Sequence, residues 1–206
     1  RRQDIEAIIQ VKFTEASFCA KKLSCMNRLI LCEACQGSGA SDGKFTQCSV
    51  CHGSGEVRKT QKTILGAFTQ MYVCDECKGL GEKPSRECRE CRGEGRKMKT
   101  ELIDIEIPAG IDSGQTIKLA RLGEAGWRGG VAGDLYVMIR VLPHKEFQRE
   151  GWDLYRAEAI NYPIAALGGE IVVPTLTGNL NLTIPAGTKS GDIFRLRSQG
   201  IQHLGK

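Results

Sequence analysis

CEACQGSG, residues 32–39, sets two cysteines three positions apart, with glycines two and four places after the second cysteine. The same spelling returns as CSVCHGSG (48–55), CDECKGLG (74–81) and CRECRGEG (88–95). Two sulfurs three residues apart on a tight turn can face one ion, and two such turns complete a closed tetrahedral site of four thiolates. Glycine suits the turn because it takes positive φ without a Cβ clash and lets backbone N–H groups approach the thiolates. Cys32, Cys35, Cys48, Cys51, Cys74, Cys77, Cys88 and Cys91 therefore predict two structural Zn2+ ions with four ligands each.

The gaps between successive boxes are 12, 22 and 10 residues. Pairing neighbours would make two beads on a string. Pairing first with fourth and second with third would make a long folded-back hairpin, which the similar outer gaps suit; spacing alone leaves both open. A thioredoxin-like redox Cys-x-x-Cys normally occurs once, at the start of a helix in a βαβ setting, unlike this fourfold run. Thiol–disulfide oxidoreduction is the alternative function. Nucleic-acid binding is tested by charge. Residues 32–95 carry nine Lys/Arg and nine Asp/Glu. Each four-thiolate zinc centre adds about −2, which makes the segment about −4 and lowers the chain's formal +5 to about +1. A phosphate-binding basic stripe is missing, so no nucleic-acid partner is expected.

Outside the boxes, apolar residues alternate at Ile103, Ile105 and Ile107, at Leu135, Val137, Ile139 and Val141, and at Leu180, Leu182 and Ile184. A period of two predicts half-buried strands. One brief helix is expected around Ile164–Leu167. IPAGIDSGQTIKLARLG (107–123) and IPAGTKSGDIFRLRSQG (184–200) share eight of seventeen positions at an offset of 77 and read as strand, turn, strand. The expected fold is mainly β: two tandem β-sandwich-like subdomains, with a two-zinc cysteine-rich hairpin module inserted in the first. Residues 1–31 and 96–143 form the first subdomain, 32–95 the zinc module, and 144–206 the second, incomplete at its C-terminus. The first subdomain gains its leading strand from DIEAIIQVKFTEASF, with Ile5, Ile9, Val11 and Phe13 as its apolar residues.

Little points to catalysis. His52, His144 and His203 stand far apart and outside any hydrolase or metalloprotease motif. His52 is expected to face solvent and His144 to sit in a turn. GEAGWRGGVAG (123–133) lacks the Lys-Ser/Thr ending of a phosphate loop and reads as a flexible loop. Apolar runs fall far short of a membrane span. The opening RRQDIEA has neither a signal core nor a methionine, suggesting a fragment or processed chain in a reducing, cytoplasmic compartment.

The four boxes, followed by IPAGIDSGQ, AGDLYVMIRVLPHKEFQREGWDLY, ALGGEIVVPTLTG and IPAGTKSG, resemble the DnaJ family of J-domain co-chaperones, in the class with the cysteine-rich zinc region. The resemblance implies that Cys32, Cys35, Cys88 and Cys91 hold one zinc and Cys48, Cys51, Cys74 and Cys77 the other. It implies a shallow groove that captures unfolded polypeptide clients by strand addition, with Ile5, Ile103 and Val137, and Leu23 or Met26 from the strand before the first box, at the matching positions. It also implies a DnaK-type chaperone ATPase as partner, a role in folding and heat response, and a homodimer for the full-length protein. The family's His-Pro-Asp tripeptide and Gly/Phe-rich linker are absent from this sequence, and GIQHLGK falls before the family's dimerisation segment. Cys19 and Cys25 lie outside the boxes, have no ligand role and are expected to be buried free thiols.

Overall fold

Residues 3–63 and 66–202 are described by a computed structural model, in which β-strand is the main regular structure. In chain order the elements are β1 (Ile5–Val11), α1 (Phe13–Ser17), β2 (Ala20–Leu31), β3 (Phe45–Gln47), β4 (Glu56–Thr63), β5 (Gly66–Val73), β6 (Glu82–Pro84), β7 (Arg96–Ile107), β8 (Thr116–Leu119), β9 (Leu135–Val141), β10 (Gln148–Glu150), β11 (Asp153–Tyr155), α2 (Tyr162–Leu167), β12 (Gly169–Thr175) and β13 (Gly178–Ile184). One sheet has the order β1-β9-β8; the other strands pair as β2-β7, β3-β6, β4-β5, β10-β11 and β12-β13.

Residues 32–95 sit between the paired strands β2 and β7, whose antiparallel course is marked by Lys21–Glu106 (2.8 Å) and by Thr100 donating to Asn27 (2.5 Å). Within that insertion Phe45 stands opposite Pro84 in the β3-β6 pair, and Glu56 opposite Val73 in the β4-β5 hairpin. Nested antiparallel pairs thus alternate with the boxes. By contrast, β12 and β13 are joined by the tight turn Leu176–Thr177.

Packing divides the chain into two units. The first comprises Arg1–Glu6, Cys25–Glu101 and Lys118–Tyr136. In it Arg28 pairs with Glu101 (2.6 Å) and donates to Gly123 O (3.1 Å), while Ala125 N–H donates to Leu29 O (2.8 Å). These contacts fix the 123–133 segment, which is therefore not the flexible loop expected. Its glycines serve close approach: a Cβ on Gly133 would stand 1.8 Å from Gln3 O, and one on Gly126 2.4 Å from Gly130 C.

The second unit comprises Ala7–Ser24, Leu102–Ile117 and Val137–Lys206. Its buried apolar residues include Ile9, Val11, Phe13, Ile105, Ile107 and Ile139. Full burial of each stabilises by about 1.5–3 kcal/mol. Phe13 was expected in a strand but begins α1, because the Lys12 N–H donates to Glu15 Oε2 (2.9 Å) in a capping box. Both IPAG turns lean on a short helix: Gly110 N–H donates to Ala16 O (2.8 Å) and Gly187 N–H to Ala165 O (2.9 Å). The repeat is incomplete beyond that point. In the first copy β8 lies against β9, whereas its counterpart 193–196 pairs with no strand among the described residues and lines an open cavity of about 1220 Å3. Leu182 on β13 lines the same cavity and Leu180 stays exposed, so the alternation there buries only Ile184 fully.

Candidate metal centres

The structure brings together the sulfurs of Cys32, Cys35, Cys88 and Cys91, and separately those of Cys48, Cys51, Cys74 and Cys77; each set lies within 4.8 Å. In the first centre Cys32–Cys88 and Cys35–Cys91 stand 3.9 and 3.7 Å apart, and in the second Cys48–Cys74 and Cys51–Cys77 stand 3.9 and 3.6 Å apart. The edge of a tetrahedron with 2.3 Å metal–sulfur bonds is about 3.8 Å, so both sets have the dimensions of a four-thiolate site. All eight cysteines are buried and free of disulfides.

Glycine makes these dimensions possible. In each box the N–H of the last glycine donates to the second cysteine's sulfur: Gly39 to Cys35, Gly55 to Cys51, Gly81 to Cys77 and Gly95 to Cys91, at 3.2–3.3 Å. The boxes also clasp each other. Cys32 N–H donates to Gly95 O and Cys88 N–H to Gly39 O; Cys48 N–H donates to Gly81 O and Cys74 N–H to Gly55 O, at 2.8–2.9 Å. A Cβ on Gly95 would stand 2.1 Å from Gly37 O. Sequence reasoning missed one feature: the residue after each second cysteine, Gln36, His52, Lys78 or Arg92, has φ between 50° and 54°. Four different side chains there left no compositional signal of the left-handed turn.

The thiols within each centre differ widely in acidity. Burial pushes Cys91 up to about 12 and raises Cys32, while the backbone N–H of Cys91 draws Cys88 down to about 7. In the second centre burial opposes ionisation of Cys51, yet the Gly55 N–H and the Cys77 and Cys48 thiols bring it to about 7. For Cys74 the Cys77 N–H favours the thiolate, but burial and the neighbouring thiols outweigh it and hold the group at about 11. The thiolate is the ligand form, so metal uptake near neutrality must displace protons from the high-pKa thiols. Affinity at both centres is therefore expected to fall at least about tenfold per pH unit on acidification from pH 8 to 6. Competition with a chromophoric chelator measures this; a flat profile would contradict it.

Other candidate residues scatter in environment. Leu23 on β2 is 63% exposed, Ile5 and Met26 are half-buried, and Ile103 and Val137 are buried. Cys19 and Cys25 are exposed rather than buried: the outward positions of β2 carry Cys25 into solvent. His52 is exposed; His144 accepts from the N–H groups of Glu146 and Phe147 (3.2 and 3.3 Å), as a turn residue does; His203 lies outside the described residues. Among the described residues no helix is long and apolar enough to cross a membrane.

Four-sulfur clusters held between nested β-pairs define a β-rich protein with two sites that could each hold a metal ion. The family model of the DnaJ C terminal domain matches residues 5–206, and the chain belongs to that family. Similar proteins include the "Chaperone protein DnaJ" of Fusobacterium nucleatum subsp. polymorphum, 41% identical over 98% of this chain and 51% of that protein. The protein of the same name from Streptococcus agalactiae serotype III is 41% identical over 98% of this chain and 53% of its own length. That of Shouchella clausii is 43% identical, over 98% and 54%. The chain thus spans about half the length of the curated relatives it matches, and their names are those of chaperones rather than enzymes.

Proposed function

We propose that this chain is the metal-stabilised, client-binding portion of a DnaJ-type co-chaperone. Zinc fills both centres, because four thiolates at tetrahedral spacing suit a d10 ion with no geometric demand of its own. The segment 32–95 is the zinc module, set between a first client-binding subdomain (1–31 with 96–143) and a second (144–206). The groove comprises Ile5, Leu23, Met26, Ile103 and Val137, with Leu23 as the residue a client meets. The observation that carries this reading is the exposure of apolar Leu23 on a strand, since a client added edge to strand gains backbone hydrogen bonds from any sequence and apolar contact from a few side chains. In the whole protein the client passes to a DnaK-type ATPase, and the protein works as a homodimer in the cytoplasm, without nucleic-acid or membrane partners. The oxidoreductase alternative needs an accessible low-pKa thiol, and burial of all eight box cysteines argues against it.

The test uses reduced, carboxymethylated α-lactalbumin as a permanently unfolded probe, with binding followed by fluorescence anisotropy. Leu23→Ser is expected to weaken binding at least about fivefold while metal content stays at two ions. Unchanged affinity would remove Leu23 from the groove. No binding by the unaltered chain would overturn the client-binding reading.

A further inference from the structure

Trp127–Gly129 forms a tight turn in which Arg128 takes the left-handed conformation, φ 44°. A long side chain persists there only where its surroundings hold it. Three bonds do so. The Arg128 N–H donates to Glu94 O (3.2 Å), Nε to Gly93 O (3.2 Å) and Nη1 to Glu82 O (2.9 Å). Gly93 and Glu94 belong to the fourth box, while Glu82 opens β6, directly after the third.

The same turn rests on the first centre's glycines. A Cβ on Gly95 would stand 3.1 Å from Arg128 Cα, and one on Gly37 3.5 Å from Gly129 Cα. Gly95 supplies the N–H bonded to Cys91 Sγ and the carbonyl that accepts from Cys32 N–H. The second centre offers an internal comparison: around Gly55 and Gly81 the three nearest atoms all belong to the partnered box.

We propose that Arg128 is a positioning residue, a latch whose guanidinium ties the fourth box to the start of β6, holds that box in its metal-binding shape and so slows exchange of the first metal ion more than that of the second. This rests on the reading that both centres hold zinc. Arginine suits the task because its fixed fork of donors spans two carbonyls at once, which a lysine ammonium does less well.

Zinc release from the loaded chain to a chromophoric chelator should show two phases, assigned to the two centres with Cys88→Ser and Cys74→Ser. Arg128→Asn retains a residue tolerant of the left-handed turn and is expected to speed release from the first centre at least about tenfold. It should also speed Gly95 amide exchange and affect release from the second centre clearly less. Added methylguanidinium should restore the slow rate, and Arg128→Lys should restore it only in part. Equal acceleration at both centres, an unchanged first rate, or loss of fold in both variants would overturn the latch. A chain that holds no zinc at all would instead overturn the reading beneath it.

Discussion

Cys88→Ser is expected to leave the chain with one bound zinc and to expose three further thiols, those of Cys32, Cys35 and Cys91. Removing one of four ligands opens a site whose closure is its main source of affinity; structural zinc binding in small peptides reaches about 10–16 kcal/mol. The damage should stop there. The second centre draws all its ligands from residues 48–77, and the β3-β6 pair lies between the two. Cys74→Ser is the mirror experiment, freeing Cys48, Cys51 and Cys77. The identity of the freed thiols is the informative readout. Were neighbouring boxes paired, Cys88→Ser would free Cys74, Cys77 and Cys91 instead. Mass spectrometry after alkylation, with metal analysis on the same sample, separates the two patterns.

The second large effect is expected at Gly95. Its φ of 75° alone costs an alanine about 1–2 kcal/mol. The new methyl would also stand 2.1 Å from Gly37 O, a backbone atom that no rotamer change can move aside. Relief requires the fourth box to shift, which pulls the Gly95 N–H from Cys91 Sγ (3.2 Å) and its carbonyl from Cys32 N–H (2.9 Å). Gly95→Ala should therefore lower zinc affinity at the first centre at least about 100-fold while sparing the second. Gly43→Ala is the control. Gly43 also has positive φ (66°), but nothing lies within 4 Å of a Cβ there. It should cost about 1 kcal/mol and leave both affinities intact. Equal effects at the two glycines would show that backbone strain, and not the clasp between boxes, limits the site.

These contrasts mark what the sequence could and could not convey. The eight cysteines were legible because a ligand pair on a tight turn has one spacing and a glycine requirement, both visible in a string of letters. Strands β7 and β9 were legible because one buried face imposes a period of two, as at Ile103, Ile105 and Ile107. Which boxes meet was not, since loop lengths of 12, 22 and 10 residues permit two closures. The reciprocal bonds between Cys32 and Gly95 and between Cys88 and Gly39 exist only once the chain has folded back. The 123–133 segment misled for a related reason. Glycine there permits close approach to Gln3 and Gly130 rather than freedom, and composition does not separate the two uses. Phe13 was lost to a five-residue helix whose capping acid, Glu15, lies directly after a stretch that reads as strand.

The most direct test of the account is a count of zinc ions and reactive thiols on the chain as isolated, before and after chelation. Two zinc ions are predicted, with Cys19 and Cys25 the only thiols to react at first and all ten cysteines reacting once metal is removed. Fewer than two ions, or a box thiol that reacts while metal stays bound, would contradict closed four-thiolate centres and return the boxes to redox chemistry.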